Sequence, residues 1–219
     1  MNECVWTEEK LSELRERVAP YLTGQRLRHT LAVEKEIAKL GALYLPEKTG
    51  KLRAAALLHD ITKKLDAEKQ LQILAESGIM PDEAARLSPS VFHAMTGAVT
   101  AEKEFPEADG EILAGIRWHT TGRADMTVFE CLVYLADYIE ETRTFDDCVK
   151  LRRDFYGRLE NSSDPADALT DTMIESFDLT IAGLIGDGLP IAPETVAARN
   201  SFLLKKNRQA SRSATEGHA

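Results

Sequence analysis

The residues best equipped for chemistry form one series: His29, the adjacent pair His59-Asp60, His93, His119 and Asp137. The chain has five histidines, and the fifth, His218, lies in a polar C-terminal stretch. Every histidine in the apolar body of the sequence therefore belongs to the series. Imidazole and carboxylate are natural ligands of iron, manganese and zinc. A His upstream, a contiguous His-Asp and an Asp far downstream require several segments to converge on one ion. Such a centre points to metal-assisted hydrolysis.

Each member also has an ordinary explanation when taken alone. His29 shares a helical stripe with Val33, Ile37, Leu40 and Tyr44, where a buried histidine bonded to a backbone carbonyl is common. His-Asp is a frequent dipeptide. Here it follows Ala54-Ala55-Ala56, whose small side chains let another helix approach. Adjacent helical side chains diverge by about 100°, yet both can reach an ion above the helix. Asp137 sits in CLVYLADYI, where an ionised carboxylate must be paired or metal-bound. A ligand role and a salt bridge to Arg117 or Arg143 are both open. His119 shares a face with Ile112 and Ile116 and so points inward. Taken together, so many metal-type residues on interior positions are hard to explain as separate accidents. His93 and His119 carry two readings: ligands of a second ion, or contacts to a phosphate and its leaving group.

Cations flank the series. Lys63 follows His59 by four residues and Asp60 by three, which on a continuing helix sets it beside the pair. The neighbouring Lys64 is an argument for a plain surface lysine. The run from His119 to Arg123, HTTGR, ends a helix with hydroxyls, a glycine and an arginine. That is either an anion-binding corner or a capped turn. Arg143 lies six residues after Asp137 and could return over the site.

Helices must position these groups, and the periodicity is helical nearly throughout. Thr7 can cap a first helix that Pro20 ends. Further helices are predicted over residues 25–44 and from Lys51 through Leu65, carrying His59-Asp60. A short helix is expected from Asp66 to Leu74, closed by Gly78. Ser88-Pro89 reads as a helix start leading into VFHAMTGAVTAEKEF; EILAGIRWHT and the strongly apolar TVFECLVYLADYIEET follow. An amphipathic stretch spans residues 165–182, a last short helix spans 194–204, and 205–219 reads as a disordered tail. No strand and no repeat is evident. The expectation is an all-α, single-domain bundle over residues 1–204, with its metal core at about 25–145 and C-terminal helices over 146–204.

The chain has 219 residues, 43% hydrophobic, which suffices for one real core. With 27 basic and 36 acidic residues the net charge is −9, which argues against non-specific nucleic-acid binding. No apolar run approaches the ~20 residues a bilayer span needs. MNECVWTEEK has no basic n-region. The three cysteines form no C-x-x-C pair, and Cys131 reads as a reduced core residue. These features give the expectation of a cytoplasmic protein with neither nucleic-acid nor membrane partners.

The arrangement H…HD…D resembles the HD-domain metal-dependent phosphohydrolases. RLRHTLAV, AALLHDITKK, FHAMTGA, IRWHTTGR and YLADYIEETRTF more closely resemble the YqeK-type branch, the symmetrical bis(5′-nucleosyl)-tetraphosphatases. The similarity covers roughly residues 20–205. It implies an HD-domain helical bundle that splits diadenosine tetraphosphate into two ADP. It further implies that His29, His59, Asp60 and Asp137 bind a divalent metal, expected to be iron with manganese as the alternative. A second ion through His93 and His119 stays open. Lys63, His93, His119, Thr121, Gly122, Arg123 and Arg143 would bind the substrate, with Asp60, Lys63, His93 and His119 taking part in catalysis. Leu27 stands where an aromatic is common, and ETRTF replaces a proline-containing turn. The expected partners are a nucleotide polyphosphate and its ADP or other purine nucleotide product, and a homodimer is open. The competing functions are another HD-type nucleotide phosphohydrolase or phosphodiesterase, and a non-catalytic metal-dependent nucleotide sensor.

Overall fold

Side-chain caps fix where most helices begin. In the computed structural model, which describes residues 5–81 and 91–216, Thr7, Thr23, Asp66, Asp109, Thr127 and Asp164 each accept a hydrogen bond from a backbone N–H of the turn that follows. Those donors have no partner within the helix itself. The helices are α1 (Glu8–Val18), α2 (Gly24–Tyr44), α3 (Thr49–Leu58), α4 (Ala67–Glu76), α5 (Phe92–Glu104), α6 (Gly110–Trp118), α7 (Val128–Ile139), α8 (Asp146–Asn161), α9 (Pro165–Gly186) and α10 (Pro193–Glu216). There is no strand among the described residues, and the fold is all-α, as expected.

The centre of the bundle is α7, whose Leu132, Val133, Leu135, Ala136 and Ile139 are fully buried. It packs on α2, α3 and α6, and α3 packs in turn on α1 and α2. The short side chains of Ala54, Ala55 and Ala56 are completely enclosed, so neighbouring helices close on α3 from several sides. A smaller cluster of Leu74, Phe92 and Met95 joins α4 to α5. Cys131 is buried and reduced, as read from its apolar setting.

Three local expectations change. First, α3 stops at Leu58, and residues 59–64 form tight turns held by Ile61 N–Leu58 O, Lys63 N–Asp60 O and Leu65 N–Thr62 O bonds. The Thr62 hydroxyl donates to the carbonyl of His93 at 2.9 Å, a tertiary tie that no helical repeat announces. Second, α9 runs on to Gly186. Third, α10 does not stop at Leu204 but continues to Glu216, into the stretch read as a disordered tail. That stretch has no proline or glycine before Gly217 and is rich in good helix formers. Lys206 also pairs with Asp171 of α9 at 2.6 Å. The Ser88-Pro89 helix start, Cys4 and His218 lie outside the described residues.

Gly122, expected at a substrate-binding corner, instead packs the turn between α6 and α7 against the C-terminal helices. Its φ is +64°, and a Cβ there would sit 2.7 Å from Phe177 Cζ and 3.1 Å from Ala198 Cβ. Gly122→Ala therefore meets both backbone strain and overpacking. It is expected to destabilise the protein by roughly 2–4 kcal/mol, read as a lower urea midpoint at unchanged slope.

Candidate metal centre

Five segments converge. α2 supplies His29, the turn after α3 supplies His59 and Asp60, α5 supplies His93, the C-cap of α6 is His119, and the last turn of α7 supplies Asp137. His29 Nε2 lies 3.0 Å from Asp137 Oδ1 and 3.7 Å from Asp60 Oδ2. His59 Nε2 lies 3.4 Å from Asp60 Oδ2 and 3.8 Å from Asp137 Oδ1. Donor atoms of His29, His59 and Asp137 fall within 4.8 Å of one another, and so do those of His59, Asp60 and His119. His93 Nε2 is 3.0 Å from His119 Nε2 and 3.3 Å from Asp60 Oδ1.

The ring orientations are set from behind. His29 Nδ1 meets Glu140 Oε1 at 3.0 Å, His59 Nδ1 meets the carbonyl of Ala56 at 2.6 Å, and His119 Nδ1 meets the carbonyl of Ile116 at 2.7 Å. Each partner is an acceptor, so each Nδ1 carries a proton and each Nε2 turns inward, a tautomer assigned from the network. The buried Nε2 atoms of His29 and His59 find no hydrogen-bond partner. Orphaning a buried polar atom costs about 1–3 kcal/mol. Two such atoms facing two carboxylates fit a divalent cation, which takes up both lone pairs and both charges.

The electrostatics make the same demand. Burial opposes charging of His29, yet the Asp137 and Glu140 carboxylates beside the ring outweigh it and lift the imidazole to about 9. A divalent cation answers the same need by displacing that proton. His119, wholly enclosed and close to His59, falls to about 4 and is neutral. Burial works against ionisation of Asp60 and Asp137. The His59 imidazole beside Asp60, and Arg143 and His29 beside Asp137, nonetheless hold both carboxyls well below their usual range. Burial also lowers Lys63.

A cleft of about 440 Å³ opens over this floor. Lys63 reaches it through tertiary contact rather than helical spacing, with Nζ 3.1 Å from His93 Nδ1. Arg143 donates to Asp137 Oδ1 at 2.6 Å and to the Asp137 carbonyl at 2.8 Å. Of the two arginines open to Asp137, Arg143 makes the pair, while Arg117 stacks on Trp118 at 4.1 Å. His93, His119 and Arg143 all line the cleft. Thr121, Gly122 and Arg123 do not. Arg123 gives Nε and Nη2 to Glu130 at 2.8 and 2.9 Å, and the Thr121 hydroxyl turns to the Gly122 carbonyl. The left-handed backbone at Gly122 carries the chain away after His119. Arg123's planar fork then meets a carboxylate that is only 2% exposed. Thr120 faces the cleft in place of Thr121.

Three contributors escape the sequence reading. Arg26 donates to Asp60 Oδ2 at 2.8 Å; its place one turn before His29 on the same helix was a usable signal. Glu140, completely buried, sits one turn after Asp137. It accepts from His29 and from the Thr142 hydroxyl at 2.7 Å. Arg152 of α8 donates to the carbonyls of Ile139, Glu140 and Arg143, capping α7 and fixing the turn that bears Glu140 and Arg143. Nothing local marks Arg152. Glu140→Gln keeps the shape but loses the charge behind His29. It is expected to weaken metal affinity about 10- to 100-fold without unfolding the protein, measured by competition with a chromophoric chelator.

Residues 26–142 match the HD domain family model. A Halalkalibacterium halodurans protein named bis(5′-nucleosyl)-tetraphosphatase, symmetrical, is 32% identical over 86% of this chain and 95% of its own length. A Bacillus subtilis protein of the same name is 31% identical over 84% of this chain and 92% of its own. A crystal structure from Clostridium acetobutylicum, described as a predicted HD superfamily hydrolase involved in NAD metabolism, superposes with a TM-score of 0.78. It is 30% identical and covers 92% of this chain and all of its own.

Proposed function

The chain belongs to the HD-domain family, and we propose that it hydrolyses diadenosine tetraphosphate symmetrically into two ADP. The relatives' names supply the substrate class. The observation that carries the chemistry is the pair of inward imidazole nitrogens, without a hydrogen-bond partner, facing Asp60 and Asp137 beneath a cleft that Arg26, Lys63 and Arg143 help to line.

His29, His59, Asp60 and Asp137 would hold the divalent metal, with iron the preferred ion and manganese the alternative; His119 lies within reach of a second. A bound ion supplies Lewis-acid polarisation of a phosphoryl oxygen and a water of lowered pKa. The remaining work falls to the protein. Arg26, Lys63 and Arg143 neutralise the phosphate chain and hold it in line. Water attacks a central phosphorus and releases a proton to solvent, the central bridging P–O bond breaks, and its electron pair leaves on the second diphosphate. His93 Nε2 lies 3.0 Å from His119 Nε2 and 3.3 Å from Asp60 Oδ1, at the wall of the cleft. That position makes His93 the group placed to pass a proton to the leaving oxygen.

Chromatography of the products tests the reading. Metal-loaded enzyme is expected to give ADP alone from diadenosine tetraphosphate. ATP with AMP would refute symmetrical cleavage. Faster orthophosphate release from mononucleotides would place the enzyme in another HD class, and tight binding without turnover would make it a sensor.

A further inference from the structure

A second cleft adjoins the first, and we propose that it seats the second nucleoside of the two-ended substrate. The proposal rests on the tetraphosphate reading above. The cleft encloses about 490 Å³, and Gln25, Arg28, Thr142 and Thr144 line it. Arg26, Arg143 and Phe145 line both clefts and so form the ridge between them. Asp60, His93 and His119 belong to the floor of the first cleft, and His29 and Glu140 to that of the second. The metal-type cluster therefore lies where the two meet.

A substrate with identical ends, cut at its middle, needs a seat on each side of the reacting phosphates. Either cleft is the size of an ordinary small-ligand site, and the first alone places only one end. The second has the chemistry for a nucleoside. Its rim offers the neutral hydrogen-bonding groups of Gln25 and Thr144, suited to a base edge and ribose hydroxyls. Phe145 stands on the ridge with 68% of its surface exposed, a flat apolar face against which a base can stack. Arg28 is exposed and has neither an ion pair nor a side-chain hydrogen bond among the described residues. Arg26 and Arg143, on the ridge by the central phosphates, also pair with Asp60 and Asp137. Arg28 is thus free to take the phosphate next to the second ribose.

ADP is a suitable probe because it is either half of the substrate and is not consumed. Equilibrium dialysis of metal-loaded wild-type protein against ADP is expected to give two molecules per chain. Gln25→Trp, on the exposed first turn of α2, fills the second cleft and is expected to leave one. It should also raise KM for diadenosine tetraphosphate tenfold or more. Arg28→Ala removes only an exposed group, keeps the fold, and is expected to weaken one of the two ADP sites about tenfold. One ADP per chain in the wild type, or wild-type stoichiometry and KM in Gln25→Trp, would overturn the proposal. Failure of the tetraphosphate reading is seen separately, as products other than ADP from the unaltered enzyme.

Discussion

His59→Ala is expected to abolish metal retention and activity together. The imidazole is completely buried, its Nδ1 is locked to the Ala56 carbonyl, and its Nε2 is shared by both groups of metal-type donors. Removing it takes one nitrogen from either arrangement, and no other side chain on that turn can replace it. Asp137→Asn removes a charge rather than a volume. It should leave Arg143 and His29 without their counter-charge while keeping the last turn of α7 in shape. For both variants metal content by atomic emission should fall to background. kcat/KM should fall by roughly a thousandfold or more, equivalent to ~4 kcal/mol of transition-state stabilisation. Circular dichroism should keep its helical signature. Full metal occupancy in either variant would remove that residue from the ligand set.

The cations that grip substrate should separate from those that build the fold. Arg26→Ala and Lys63→Ala are expected to keep metal near the wild-type level and lower kcat/KM by about 30- to 100-fold, ~2–2.7 kcal/mol each. Both groups line the cleft, one bonded to Asp60 and the other beside His93. Arg123→Ala should do the opposite. It leaves the Glu130 carboxylate buried without its guanidinium partner, a loss expected to cost about 3 kcal/mol of stability with little change in turnover per folded molecule. Urea unfolding and steady-state kinetics on the same preparations distinguish the two patterns. A stable, catalytically crippled Arg123→Ala would return that residue to the substrate site.

Much of this protein was legible before any coordinates. Helical periodicity gave the all-α class and the approximate span of most helices, and a capping threonine marked the first helix start. The Thr7 side chain bonds only a few residues along the chain, a contact that local sequence displays. His29, Asp137 and the His59-Asp60 pair stood out because burying such groups among apolar neighbours is tolerable only with a partner, a physical requirement that holds whatever the fold.

Tertiary structure decided what depends on groups distant in sequence. Lys63 reaches the site although α3 ends before it, because Thr62 is hooked to the His93 carbonyl across 31 residues. Arg123 looked equally suited to an anion, but Gly122 turns it toward Glu130. Arg143 proved both a partner of Asp137 and a wall of the cleft. Glu140 and Arg152 work through contacts whose other halves lie far along the chain: Glu140 meets His29 across 111 residues, and Arg152 caps the helix before its own. Charge and burial tendency are properties of single residues and short runs, so the chain order displays them. The orientation of an imidazole, the choice between two carboxylates for one guanidinium, and the presence of a second cleft beside the first are set only when the helices close on one another.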